Sequence, residues 1–243
     1  MKVLVTVKEC IDYQVKVRLN STQTQVETQG VQLSINPFDA IAIEACVQLQ
    51  EKNIITHSTA LHIGQEPKVL QHALAMGIDE GVLIQSDTND TFNKCLLIAD
   101  YIKEHEFDCM IMGKLAIDGD HGQIPQMLAG MLNWPCATYA SNISIKEDTL
   151  TVDRETDQGI ETVQLKTPCI ISTDLRLNEP RFIALPKILA AKSKPIETIQ
   201  PEKQEDSPIE IVKLSYPEKR SGCTPTDDVD HFIQQLTDAG VIK

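Results

Sequence analysis

Short apolar runs alternate along the first two thirds of the chain with longer stretches whose apolar residues return every three or four positions. The first run is Val3-Leu4-Val5-Thr6-Val7. An unbroken apolar run of this length suits a strand covered on both faces, as in a parallel sheet. Asn36-Pro37-Phe38-Asp39 predicts a helix start, with Asn36 as N-cap, Pro37 at the first helical position and Asp39 at the positive end of the dipole. Phe38, Ile41, Ala42, Ala45 and Leu49 then continue one apolar face. Residues 58–63 predict the second strand, closed by Gly64, and 69–76 a helix stopped by Gly77. A third strand is expected over 81–84. A helix over 92–102 should turn Leu96, Leu97, Ala99 and Ile102 mostly inward. A fourth strand over 109–112 ends at Gly113, and a helix over 126–132 precedes Trp134-Pro135. This βαβα rhythm predicts an α/β fold with a doubly wound, mostly parallel sheet, of the adenine nucleotide α-hydrolase-like or flavodoxin-like kind.

After Trp134 the period changes. Residues 143–145, 150–152 and 162–165 read as strands, with Asp157-Gln158-Gly159 as a turn, so antiparallel strands should be appended to the sheet. The polar stretch 20–30 reads as a hairpin or an excursion. Cys169-Ile170-Ile171 is strand-like, and the charged segment 172–181 after it is too irregular for a strand. Leu185-Pro186 opens a short helix. The segment 172–181 is either a surface connector or a functional loop on a rigid scaffold. From Pro195 the chain is rich in Pro, Glu, Lys and Gln up to Pro208, and such a composition buries little. Residues 228–240 predict a helix with Val229, Phe232, Ile233 and Leu236 on one stripe. The expected organisation is an α/β nucleotide-binding domain over 1–194, including the loop 174–192, and an extended arm with a terminal helix over 195–243. Such an arm should wrap something, either this domain or another subunit.

Composition narrows the picture. The chain has 243 residues and is 42% hydrophobic but only 4% aromatic, so its core should be aliphatic. Its net charge of −13, from 22 basic and 35 acidic side chains, argues against nucleic-acid binding through the overall field. Any nucleotide must be gripped locally, by backbone N–H groups and a few placed side chains. Seven cysteines, with no CxxC pair, predict reduced and mostly buried thiols. No apolar run approaches the ~20 residues that span a bilayer, and no presequence pattern is visible. The expected location is cytoplasmic, or the mitochondrial matrix if the source is eukaryotic.

Ligands of open α/β sheets bind beyond the carboxyl ends of the strands. Thr6 to Tyr13, Asn36 to Asp39, Ile63-Gly64 and the run Gly113-Lys114-Leu115-Ala116-Ile117-Asp118-Gly119-Asp120-His121-Gly122-Gln123 should gather there. The three glycines of the last run serve either plain turns or a backbone that aims N–H groups at an anion; taken with the other three segments, the pocket is the better reading. No GxGxxG or GxxxxGK[ST] motif occurs, so neither a standard dinucleotide fold nor a P-loop is expected. Asp118, Asp120 and His121 lack a further ligand at metal spacing. No hydrolytic triad assembles from the scattered histidines. The chain reads as a binder or carrier with no catalytic residue of its own.

These pieces closely resemble the β (small) subunit of electron-transferring flavoprotein, over essentially the whole length. The resemblance rests on Val7-Lys8 with Ile11-Asp12-Tyr13, Asn36-Pro37-Phe38, Ala75-Met76-Gly77, and Gly113-Lys114 with Ala116-Ile117-Asp118. It continues through Gln126-Met127, Ala129-Gly130, Trp134-Pro135, Asp153-Arg154-Glu155 and, most specifically, Asp174-Leu175-Arg176-Leu177-Asn178-Glu179-Pro180-Arg181. It implies a heterodimer with a larger α subunit that holds most of a redox-active FAD. It implies a structural AMP in this chain, at Thr6, Asn36 to Asp39, Ile63 and the run Gly113 to Ile124, with Tyr13 reaching the flavin edge. The segment 174–192 matches a recognition loop in which Leu185, with Arg181 and Pro186, meets acyl-CoA and related dehydrogenases. Electrons would pass on to a membrane quinone oxidoreductase. Ile124-Pro125 stand where the family has Thr-Gly, which removes a hydroxyl and a backbone N–H beside the phosphate. Ala190 and Ser193 stand where animal members carry methylated lysines. Two alternatives are a subunit with a second FAD in this pocket that bifurcates electrons from NADH, and a stand-alone nucleotide-binding module.

Overall fold

The computed structural model describes residues 1–146, 149–201, 207, 209–220, 222–223 and 225–242. Its strands are β1 (Lys2–Thr6), β2 (Glu9–Ile11), β3 (Leu33–Ile35), β4 (His57–Gly64), β5 (Glu80–Gln85), β6 (Cys109–Gly113), β7 (Cys136–Lys146), β8 (Thr149–Thr156), β9 (Gly159–Lys166), β10 (Cys169–Thr173) and β11 (Ile196–Ile199). The helices are α1 (Pro37–Glu51), α2 (Lys68–Met76), α3 (Thr91–Glu104), α4 (Ile124–Leu132), α5 (Leu185–Ala191) and α6 (Val229–Asp238).

Among the described residues nine strands form one sheet in the order β11-β5-β4-β1-β6-β10-β7-β8-β9. The strands from β11 to β7 run parallel, and β8 and β9 are added antiparallel. This is the doubly wound sheet with antiparallel additions that the sequence predicts. Side chains alternate between two cores. Val3, Val5, Ala60, Leu83, Cys109, Ile111 and Ile171 face α1, α2 and α5. Leu4, Leu61, Val82, Ile84, Met110, Met112 and Ile170 face α3 and α4. Burial on both faces explains why these strands read as continuous apolar runs.

Several details differ from expectation. On α3 the buried apolar residues are Cys95, Ile98, Ala99, Tyr101 and Ile102, while Leu96 and Leu97 are half-buried. Residues 95, 98, 99 and 102 make the true helical stripe, and 96 and 97 lie beside it. Ser172 and Thr173 belong to β10 and are buried, because their hydroxyls find partners. The arm expected from Pro195 begins instead with β11, paired in parallel to β5 from Ile196↔Gly81 to Ile199↔Ile84. An edge strand needs only one backbone partner, so four residues suffice, with Ile196 and Ile199 each packed against one of the two cores. The polar stretch 20–30 is part of an excursion closed at its base by β2 and β3 and near its tip by the Leu19↔Val26 bridge. The helix α6 is capped by Asp228, whose carboxylate accepts from Asp230 N at 3.0 Å, but none of its residues is buried. No helix among the described residues is long and apolar enough to cross a membrane.

Candidate functional site

The sheet reverses its winding between β1 and β6. From β1 the chain first lays β4 and β5 on one side, then returns to lay β6, β10 and β7 on the other. The carboxyl ends of β1 and β6, Thr6 and Gly113, therefore flank a switch-point crevice, where α/β folds place their ligands.

The floor of the crevice is tightly built. Asp39 lies in the first turn of α1 and is almost wholly buried. Its Oδ2 accepts from Lys8 N at 2.9 Å, which ties α1 to the chain leaving β1. Burial pushes the Asp39 carboxyl up to about 7, against hydrogen bonds from Asn36, Lys8 N and Gly113 N that favour the anion. Gly113 packs so closely here that a Cβ would fall 2.8 Å from Phe38 Cβ, and nearer still to the Asp39 carboxylate. A glycine is required at this position by the approach of α1. Thr173 Oγ1 donates to Phe38 O at 3.2 Å or to Met112 O at 3.3 Å and fixes the same junction from β10.

Asn36 is the N-cap of α1, as expected, yet its side chain caps nothing. It reaches across the crevice instead. Nδ2 donates to Leu115 O at 2.8 Å, and Oδ1 accepts from Ile117 N at 3.3 Å. These two bonds hold the start of the loop 114–123. Beyond them Ala116 O accepts from Gly119 N and Asp120 N at 3.1 and 2.8 Å, closing a turn. Asp120 and Gly122 take left-handed φ values of 52° and 60°. The loop is also fastened from both sides. Lys8 Nζ binds both oxygens of Asp118, at 2.7 and 2.6 Å. Lys114 Nζ binds Asp174 Oδ2 at 2.6 Å and lies 5.0 Å from the Phe38 ring centroid and 5.7 Å from that of Tyr139.

At the end of β4, Ile63 is half-buried and the His62 ring folds over Gly64, with Nδ1 2.9 Å from Val7 O. Burial keeps the imidazole pKa low despite that bond, and the nearby Lys94 and Lys8 add to the effect. Cys10 beside the crevice is also buried, and burial raises its thiol to about 12.

Thr6, Asn36, Pro37, Phe38, Asp39, Ile63, Gly113 and the residues from Lys114 to Asp118 thus meet around one crevice. Gly119, Asp120, His121 and Gln123 form the rim of the loop, with Gly122 and Ile124 partly covered. Tyr13 lies apart, after β2, and is 75% exposed. Among the described residues no group of three or more His, Cys, Asp or Glu side chains is placed to hold a metal.

The segment 174–184 is a structured loop. Arg181 faces inward onto α1: Nε binds Glu44 Oε2 at 2.8 Å, Nη2 binds Glu44 Oε1 at 3.0 Å, and Nη1 binds Glu51 Oε1 at 2.6 Å. Glu44 is nearly fully buried. Burial would raise its pKa, but the Arg181 bonds outweigh that and leave it lowered. Asn178 Nδ2 adds a bond to Ile41 O at 3.1 Å. With the loop so clamped, Leu185 (68% exposed), Pro186 and the completely exposed Phe182 face outward. Sequence reasoning missed Phe182, and also the roles of His62 and Lys8. A Phe between Arg181 and Ile183 carries no sign of its exposure; only the inward turn of Arg181 pushes it out.

A sequence model of the electron transfer flavoprotein domain family matches residues 23–204. The chain is 42% identical over 247 residues to the mitochondrial electron transfer flavoprotein subunit beta of Arabidopsis thaliana, covering 97% of each chain. It is 37% identical over 242 residues to the corresponding subunit of Dictyostelium discoideum, again covering 97% of each. With that of Bradyrhizobium diazoefficiens the identity is 39% over 249 residues, and both chains are covered completely.

Proposed function

Because this chain belongs to the electron transfer flavoprotein family, as a beta subunit, we propose that it is the AMP-binding half of a heterodimeric one-electron carrier. The observation that carries the AMP reading is the switch-point crevice, walled by Thr6, the start of α1 and the loop 114–123. The residues fit a nucleotide. Gly113 lets the start of α1 close in and form the floor, and the half-buried Ile63 offers apolar surface for a base. The loop glycines and the starts of α1 and α4 offer N–H groups for a phosphate. The AMP would serve as a structural element, joining β1, α1 and the loop before α4.

Redox chemistry would come from FAD held mainly by the larger α subunit. The exposed Tyr13 is free to meet that flavin, and the arm beyond Ile199 with α6 would wrap the α subunit. The clamped loop would dock acyl-CoA and related dehydrogenases, with Leu185 as anchor, flanked by Pro186 and Phe182. One exposed apolar anchor on a polar loop suits a small, rapidly released interface. Arg181 would act from behind by holding the loop on α1. Electrons would then pass to a membrane quinone oxidoreductase.

The test is to purify the complex through a tag on this chain, denature it and quantify the released nucleotides. One FAD and one AMP per heterodimer is the expected result. Two FAD and no AMP would point to an electron-bifurcating flavoprotein. AMP without flavin or partner would point to a stand-alone nucleotide module.

A further inference from the structure

The loop before α4 leads into a helix start that is poor in donors. Gln123, its N-cap, makes no side-chain cap bond, and Pro125 in the first turn has no N–H. A phosphate at this end of the crevice needs a further partner. The neighbouring helix supplies one.

Helices α3 and α4 follow β5 and β6, so both begin at the carboxyl edge of the sheet, where the crevice opens. They touch near their starts: Cys95 Sγ, just past the first turn of α3, lies 4.0 Å from Ile124 O. Lys94, next to Cys95, is half-buried, and among the described residues no carboxylate forms an ion pair with it. Its surroundings disfavour a cation in three ways. The site is partly desolvated, Lys8 lies near enough for its charge to act, and the position is in the first turn of a helix, at the positive end of the dipole. Burial first, then Lys8, holds the ammonium pKa down, although Asp118 and Asp90 act the other way. Asp118 is already bound by Lys8 through both oxygens, and Asp90 is committed to Asn93 N as the cap of α3. A lysine in this setting gains most from an added anion.

We propose that Lys94 binds the phosphate of AMP in the crevice and makes up for the donors missing at Ile124 and Pro125. The assignment rests on the AMP reading above. It gives the pocket a phosphate grip shared between two helices, with α3 contributing a charge and α4 what remains of its backbone N–H groups.

The test uses the complete heterodimer, depleted of nucleotide, as wild type and as Lys94→Gln, Lys94→Met and Lys94→Arg. Calorimetry would compare AMP with adenosine, which lacks the phosphate. Loss of one charge-assisted bond should weaken AMP about tenfold to a hundredfold in Lys94→Gln and Lys94→Met. Adenosine should bind all forms alike, and Lys94→Arg should keep most of the AMP affinity. Without nucleotide, the melting temperature of Lys94→Met should equal or exceed that of wild type, because an unpaired, half-buried charge is removed; the rise on adding AMP should be smaller. Equal AMP affinity in wild type and Lys94→Gln would overturn the assignment, and so would an equal loss for adenosine, which marks a merely structural role. A wild-type heterodimer that binds neither AMP nor adenosine would instead overturn the AMP reading itself.

Discussion

The crevice floor and the C-terminal helix both carry polar and apolar groups at close quarters, but they satisfy them in opposite ways. Around Asp39 and Gly113, polar groups from the chain after β1, from the start of α1, and from β6 and β10 find partners within the chain. On α6 the stripe residues Phe232 and Ile233 are 49% and 47% exposed, and Val229 is 70% exposed. The arm before it shows Ile209, Ile211 and Val212 to solvent as well. Ordered apolar surface left outward on this scale marks an interaction site. The first region is finished by folding of this chain. The second leaves its apolar stripe exposed on this chain.

The sharpest way to break the first region is Gly113→Ala. The new Cβ would meet backbone and side chain of Phe38 and Asp39, where nothing flexible can yield. A loss of about 3 kcal/mol in urea unfolding of the isolated chain is expected. Arg181→Met comes next. It leaves the buried Glu44 carboxylate without its guanidinium, and a cost of roughly 2–3 kcal/mol at neutral pH should follow. That difference should shrink below pH ~4, where Glu44 becomes protonated in the unfolded chain.

Asp39 gives an effect with a distinct pH signature. Its folded pKa is raised, from the ordinary 3.8 to about 7. The folded state therefore binds the extra proton between these values. The stability this group contributes is fully present below 3.8 and is lost as pH rises toward 7. Wild type minus Asp39→Asn should show that falling slope in unfolding free energy between pH 4 and 7, and no slope above it. The smallest effect belongs to the arm. Phe232→Ser combined with Ile233→Ser should change the stability of the isolated chain by less than about 0.5 kcal/mol. The same pair should abolish co-purification with the α subunit. A large loss of stability in the isolated chain would show that α6 packs on its own domain.

The sequence announced the sheet well, because strands buried on both faces are continuous apolar runs and each ends at a turn residue such as Gly64 or Gly113. It also located the crevice segments, since the carboxyl ends of strands follow from strand order. It was silent on β11, a four-residue edge strand whose Ile196 and Ile199 reach the two cores from within a mostly polar stretch. The partners of side chains were also illegible. Asn36 has the chemistry of a cap and uses it across the crevice, on Leu115 and Ile117. Arg181 reads equally well as a surface charge or as a clamp until Glu44 and Glu51, far back in the sequence, are seen to face it. Such pairings depend on how α1 lies against the loop, and no local pattern encodes that.

The helix α1 joins the crevice to the loop 174–184. Its first turn supplies Phe38 and Asp39 to the crevice, and its later turns hold the loop through Ile41, Glu44 and Glu51. A fifteen-residue rod spans roughly 22 Å and turns about 100° per residue. One residue inserted between Asp39 and Glu44 would swing the later turns a quarter-circle out of phase with the first. The crevice and the loop could not both keep their partners. Within this helix, length change is therefore far more restricted than substitution, and any drift in its length would have to pass through a form that fails at one end or the other.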